Sequence, residues 1–271
     1  MKEDFKDFIE ASGLMEYDPG TISKIYKKNP KRLFKRLWQT LIPIFAFIIS
    51  VCWDKIIGKL NKGNQARVRA KELTDLLVEL GPAFVKAGQA LSTRPDIIPV
   101  VLLEELSQLQ DQLPGFEGDK AMELIEEDLE ENIKNIFLEI DKEPISAASL
   151  GQVHKAILKN GDTVAVKVQR PGLREQITLD LYIVRNIAYW LKNNIGLIRS
   201  DLVALIDELG KRVFEEMDYI NEANNAEKFR QMHEKNKKIA VPKIYKEFTS
   251  KRVLTMEWIE GKKLTNLEDV K

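Results

Sequence analysis

The stretch from Pro144 to Gly172, PISAASLGQVHKAILKNGDTVAVKVQRPG, constrains the fold more than any other part of this chain. It predicts a strand, a loop of small residues, a second strand, a tight turn and a third strand. Asn160-Gly161 is a hairpin signal, because both residue types tolerate the positive φ that such turns use. After it, Val164, Val166 and Val168 alternate with Ala165, Lys167 and Gln169. A period of two places the valines on one face of a strand and Lys167 on the other. A lysine in mid-strand, next to small Ala165 and after a loop of Ala147, Ala148, Ser149 and Gly151, fits an ammonium that holds phosphate. Small side chains let a flat base and phosphate oxygens approach the backbone. An edge hairpin with a solvated lysine would carry the same pattern.

The 271 residues allow one or two domains with a real core. Forty-two basic residues balance forty-two acidic ones, which gives no electrostatic case for nucleic acid as a partner. One cysteine excludes an internal disulfide framework, and two histidines without cysteine partners argue against a structural zinc site. The charge is nevertheless uneven along the chain. Lys24, Lys27, Lys28, Lys31, Arg32, Lys35 and Arg36 are basic, and no acid occurs from Pro19 to Trp53. An apolar run, Leu41 to Trp53, follows directly with Trp38 ahead of it; it falls short of the roughly 20 residues that span a bilayer. Lysines for anionic headgroups and indoles at the boundary fit a membrane interface. A buried helix is the alternative.

Tyr17-Asp18-Pro19-Gly20 has the composition of a turn. Helices are expected at 64–80, from Pro82 to the break at Arg94-Pro95-Asp96, at 97–113, at 120–131 with Asp119 as cap, at 174–193 and at 200–232. Asp141 and the acids at 126–131 read as surface residues. Residues 241–248 and 252–258 read as strands. Lys86 and Gln89 share a helical face. On a single helix from 200 to 232, Glu216 and Glu222 project about 120° apart, so one helix could offer carboxylates to two lysines, Lys86 and Lys167. The sheet-facing position favours pairing Lys167 with Glu222 and Lys86 with Glu216. Gln152 and His154 read as strand-packing residues.

Five features in order resemble the UbiB family, the aarF-domain group of atypical protein-kinase-like proteins. They are Lys86-x-Gly88-Gln89, the alanine-rich loop before Gly151-Gln152-Val153-His154, Val164-Ala-Val-Lys167, Glu216-x-Asp218 followed by Glu222, and Met256-Glu257 at a strand exit. The resemblance covers about residues 70–271, and the basic and apolar N-terminus is similar to cyanobacterial and plastid members.

The resemblance implies an α+β fold. A helical N-terminal extension would precede a protein-kinase-like N-lobe, a five-stranded antiparallel sheet with a long helix of the αC type, and the C-lobe would be absent. The implied division is a basic and apolar membrane-associating segment at 1–63, a helical extension at 64–140, the N-lobe at 141–261 and the start of the missing lobe at 262–271. Ala147, Ala148, Ser149 and Gly151 would cover the nucleotide, with Ala165 beside the base. Lys167 would contact phosphates and pair with Glu222. Lys86 and Gln89 would lie over the active site, with Glu216 as partner of Lys86 and Asp218 alongside. Glu257 and Trp258 would form the hinge that meets adenine. ATP or ADP is the implied cofactor, Mg2+ being expected only with the missing lobe, and no metal ligands are assigned here. A membrane surface or a prenyl lipid is the other implied partner, on the cytoplasmic side of a bacterial thylakoid or plasma membrane, with the work linked to prenylquinone metabolism.

One departure is large. Phosphoryl transfer uses an H-x-D catalytic loop and a D-F-G metal loop. Neither His154 nor His233 opens such a loop, and no D-F-G occurs. The chain alone is therefore expected to be catalytically incomplete. The rival reading is a non-catalytic membrane-surface or lipid-binding module with a residual nucleotide-binding lobe.

Overall fold

The computed structural model describes residues 14, 16–60, 64–96, 98–110, 114–194 and 201–261. The stretch 262–271, expected to begin a second lobe, lies outside them. The fold is α+β, with ten α-helices and a five-stranded antiparallel sheet among the described residues. Two compact units divide the chain, and they do not follow sequence order. One comprises residues 1–115, 147–150 and 170–217; the other comprises 116–146, 151–169 and 218–271.

The first unit is helical. Asp18 caps α1 (Pro19–Lys27), its carboxylate accepting from the Gly20 and Thr21 amides at 3.0 Å each. Tyr17 to Gly20 is thus a helix start rather than a free turn: Pro19 at the first helical position loses nothing by lacking an N–H. Helix α2 (Pro30–Ile56) is 27 residues long, twice the apolar run read in the sequence, because its basic first turns continue into the apolar part and Pro43 does not end it. It is long and apolar enough to cross a membrane. Helices α3 (Gln65–Leu80) and α4 (Pro82–Ser92) meet at Gly81, where φ is 105° and a Cβ would lie 2.3 Å from Gln176 Nε2. Helix α5 is Val100–Ser107, continued by a 3-10 turn over Gln108–Gln110. Two further helices of this unit, Leu173–Asn194 and Leu202–Glu216, complete it. Ile22, Tyr26, Ile177, Leu181, Phe214 and Met217 form its main core. A buried ion pair crosses that unit: Arg36 reaches both carboxylate oxygens of Asp180 at 2.6 and 2.8 Å.

The second unit holds the sheet. Helix α6 (Gly118–Leu129) starts after Glu117, so Asp119 sits in its first turn and not at the cap; its carboxylate meets Lys142 at 2.5 Å instead. A short α7 (Ile133–Ile136) leads into β1 (Phe137–Ile140). Strands β2 (Ser146–Ala147), β3 (Gly151–Leu158), β4 (Thr163–Gln169) and β5 (Val253–Glu257) follow. The order is β1-β3-β4-β5, with β2 beside β3. Val164, Val166 and Val168 are fully buried and pack with Ala121, Ile125, Phe137 and Val253, as the alternation predicted. Only Gly161 of the β3–β4 turn takes positive φ, at 90°; Asn160 instead accepts from the Asp162 amide, an Asx turn in place of the two-residue primed turn. The expected strand at 241–248 is absent. Ile244 makes one isolated bridge to Met256, and Lys246–Phe248 is a 3-10 turn. Pro242 has no N–H to give a ladder there.

Between β4 and β5 the chain forms α8 (Leu173–Asn194), α9 (Leu202–Glu216) and α10 (Tyr219–His233). The single helix expected over 200–232 is two. Met217 ends α9 and Asp218 caps α10, its carboxylate accepting from the Ile220 and Asn221 amides at 3.1 Å each. Asp201 caps α9 through the Ala204 amide.

Candidate functional site

Lys167 stands in the middle of β4, opposite Val153 of β3 and Leu254 of β5. The strand alternation turns it away from the buried valines. Its ammonium meets both oxygens of Glu222, at 2.8 and 2.7 Å, and lies 4.6 Å from the centre of the Tyr219 ring. Glu222 is available there because Asp218 starts α10 four residues earlier. Its carboxylate then falls in the first turn, where the helix dipole favours an anion. The Lys167 side chain remains 23% exposed, so an anionic ligand can reach the ammonium from solvent.

Gly151 opens β3 under Val168 and Tyr219. A Cβ there would lie 2.4 Å from the Val168 carbonyl oxygen and 2.6 Å from the Tyr219 hydroxyl, so the position takes no side chain. Ala165 neighbours Lys167 on β4, opposite Lys155 and Met256. Glu257 ends β5 and Trp258 follows it. Their amides are already used, donating to the Lys243 carbonyl at 2.8 Å and the Thr163 carbonyl at 3.1 Å. A backbone donor to a base would have to come from beyond Trp258. Gln152 and His154 are buried in a polar chain. The Phe116 amide donates to Gln152 Oε1 at 2.8 Å, Gln152 Nε2 meets His154 Nε2 at 3.0 Å, and His154 Nδ1 meets the Asp141 carbonyl at 2.8 Å. That is consistent with the packing role expected for both. Burial lowers the imidazole pKa against the pull of that carbonyl, and the neutral ring donates from Nδ1.

In the helical unit, Lys86 Nζ lies 2.6 Å from Glu216 Oε2. The pairing of lysines and glutamates therefore follows the expected pattern, although not for the expected reason. Glu216 is the last residue of α9 and Glu222 lies on the next helix, so no common helical wheel relates them. Gln89 donates to the Leu109 carbonyl at 2.8 Å. Gly88 is a packing glycine: a Cβ would meet Leu109 Cδ1 at 2.6 Å and Leu77 Cδ1 at 2.8 Å. Ala147, Ala148 and Ser149 belong to this unit, where Arg170 holds their loop. Its guanidinium donates to the Ala148 carbonyl at 3.1 and 2.9 Å and to the Pro114 carbonyl at 2.5 Å, and its amide donates to the Leu150 carbonyl.

Three contributors escaped the sequence reading: Tyr219 beneath the ammonium, Arg170 behind the loop, and Asp128. Read as a surface acid, Asp128 is half-buried; it accepts from the Arg252 amide at 2.9 Å and from Ser250, and so ties down the entry to β5. Arg170 follows β4 directly, and that adjacency was the available signal. Nothing local marks Tyr219 or Asp128, because their partners are distant in sequence.

Comparison with known proteins gives the affiliation. Residues 108–271 match the ABC1 atypical kinase-like domain. An uncharacterized protein of Synechocystis is 50% identical over 94% of this chain and 37% of its own length. A chloroplastic aarF domain-containing protein kinase of Arabidopsis thaliana is 46% identical over 96% of this chain and 37% of its own. The chloroplastic Arabidopsis protein ACTIVITY OF BC1 COMPLEX KINASE 3 is 42% identical over 92% and 35%. The chain thus spans little more than a third of these relatives' length. With that match over more than half of its residues, the chain belongs to the ABC1, or aarF-domain, family of atypical kinase-like proteins.

Proposed function

We propose that this chain supplies the nucleotide-holding part of an atypical kinase or ATPase that works at a membrane in prenylquinone metabolism. The observation that carries the nucleotide reading is the Lys167–Glu222 pair, 2.7 Å apart on the exposed side of the sheet. A strand lysine held by a helix carboxylate is the arrangement that fixes α- and β-phosphates in kinases. Small Ala165 leaves the strand approachable beside it. ATP or ADP would be held by Lys167, and bound ATP would supply the phosphoryl group. The magnesium that phosphoryl transfer uses finds no cluster of three His, Cys, Asp or Glu ligands among the described residues. Lys167 would contribute binding and charge neutralisation to that chemistry.

The membrane and quinone parts of the reading rest on the family, on its chloroplastic and cyanobacterial members, and on the basic and apolar α2. The cytoplasmic face of a thylakoid or plasma membrane fits those sources. Nucleotide binding is tested by titrating the chain with a fluorescent ATP analogue and displacing it with ADP. Lys167→Met is expected to weaken binding at least tenfold with an unchanged circular dichroism spectrum. Equal binding by the variant would remove the nucleotide reading.

A further inference from the structure

We infer that α2 is an in-plane docking helix for an anionic lipid surface and does not cross the bilayer. The inference deepens the membrane placement proposed above and rests on it. Phe34, Trp38, Ile42, Phe45, Ile49 and Trp53 are each 50–66% exposed. At 100° per residue they fall within an arc of about 100°, one continuous stripe about 28 Å long. The opposite side of the helix is spoken for. Thr40 and Asp54 are buried, and Leu33 and Leu37 pack against the core.

The helix is fastened to its own unit at both ends of the stripe. Arg32 pairs with Glu175 at 2.6 Å and Arg36 with Asp180 at 2.6 Å, both on α8. Asp54 pairs with Arg69 of α3 at 2.7 Å and accepts from Gln65. Arg36 and Asp54 are 18 residues apart, about 27 Å along the axis, close to the hydrocarbon thickness. A spanning helix would carry both ion pairs to opposite interfaces and drag α3, with its exposed Lys71, Glu72 and Asp75, through the hydrocarbon. A helix lying in the interface keeps every one of those contacts and sinks only the stripe, by about 5–10 Å.

Charge selects the occupant. Lys31 and Lys35 are exposed at one end of the stripe, with exposed Lys24, Lys27 and Lys28 on the preceding α1 and its turn, and Lys55 and Lys59 are exposed at the other end. Asp54, the one acid from Pro19 to Lys59, is buried against Arg69. A second copy of the chain would bring lysines against lysines. An anionic headgroup layer meets them with opposite charge while the tryptophans rest at the boundary.

The test uses the whole chain and vesicles of phosphatidylglycerol and phosphatidylcholine in equal parts. A nitroxide on Cys52, and separately on Phe45→Cys in a Cys52→Ser background, reports depth. Both labels are expected at the same shallow depth. Phe45→Lys with Ile49→Lys is expected to lower vesicle binding at least tenfold with an unchanged helix spectrum. A deep label at position 45 with a shallow one at Cys52 would mean a span, overturning the in-plane placement while leaving the membrane reading. Binding unaffected by the two lysines would overturn the stripe. No vesicle binding, with a dimer in lipid-free buffer that the two lysines dissolve, would assign the stripe to a second copy and overturn both. No vesicle binding by a monomer would also overturn both.

Discussion

Lys86 and Lys167 make similar contacts with different consequences. Glu216 is half exposed, so its pair with Lys86 contributes little to folding, on the order of 0–1 kcal/mol. Lys86→Ala or Glu216→Gln is expected to shift the ratio of ATP to ADP affinity several-fold while moving the denaturation midpoint hardly at all; a large midpoint shift with unchanged affinities would make the pair structural. His154 behaves in the opposite way, as a buried group whose titration reaches stability. Its imidazole is held neutral, with a pKa below the usual value of about 6.5. Below that pH the unfolded chain takes up the proton first, so the unfolded state gains. Stability should fall as pH drops from about 6.5 to the lowered value and be insensitive to His154 above it. Denaturant unfolding across that window, compared with His154→Gln, checks the sign: the variant should show the shallower slope.

At the scale of elements, the break between α9 and α10 matters most. Helical periodicity runs through Phe214 to Glu222, so the sequence reads as one helix. The interruption comes from Asp218, whose side chain offers the Ile220 and Asn221 amides an alternative to helical carbonyls. Asp218→Ala is expected to cost about 0.5–2 kcal/mol, the ordinary value of a lost N-cap, and to weaken nucleotide binding, because α10 presents Glu222 and Tyr219 to Lys167. Calorimetric melting with a nucleotide titration tests both; loss of stability without loss of affinity would detach the cap from the site. The legible features share one property, that they are written in local pattern: the valine alternation of β4, the glycine and proline between α3 and α4, and Lys86 and Gln89 at helical spacing. The illegible ones depend on partners far along the chain. Tyr219 meets Lys167 across fifty-two residues, Asp128 meets Arg252 across more than a hundred, and the strand expected at 241–248 failed because Pro242 and a 3-10 turn outweighed its apolar residues.

For the molecule as a whole, the role proposed for Lys167 is to hold a nucleotide, and holding is only part of phosphoryl transfer. Transfer needs carboxylates on the metal and a group that orients the nucleophile. No H-x-D or D-F-G sequence occurs in the 271 residues, and the family members compared are about two and a half times as long. In the role proposed for it, Lys167 would neutralise charge on the ground state and the transition state alike, and uniform binding of that kind lowers a dissociation constant without accelerating the chemical step. The purified chain is therefore expected to bind ATP and to release no phosphate above the rate of buffer, with or without magnesium. A coupled phosphate-release assay over many hours gives the measurement. Steady, magnesium-dependent release that disappears with Lys167→Met would mean that the chain holds a metal and a nucleophile by groups other than the kinase loops. Release that survives Lys167→Met would point to a contaminating enzyme and leave the expectation standing.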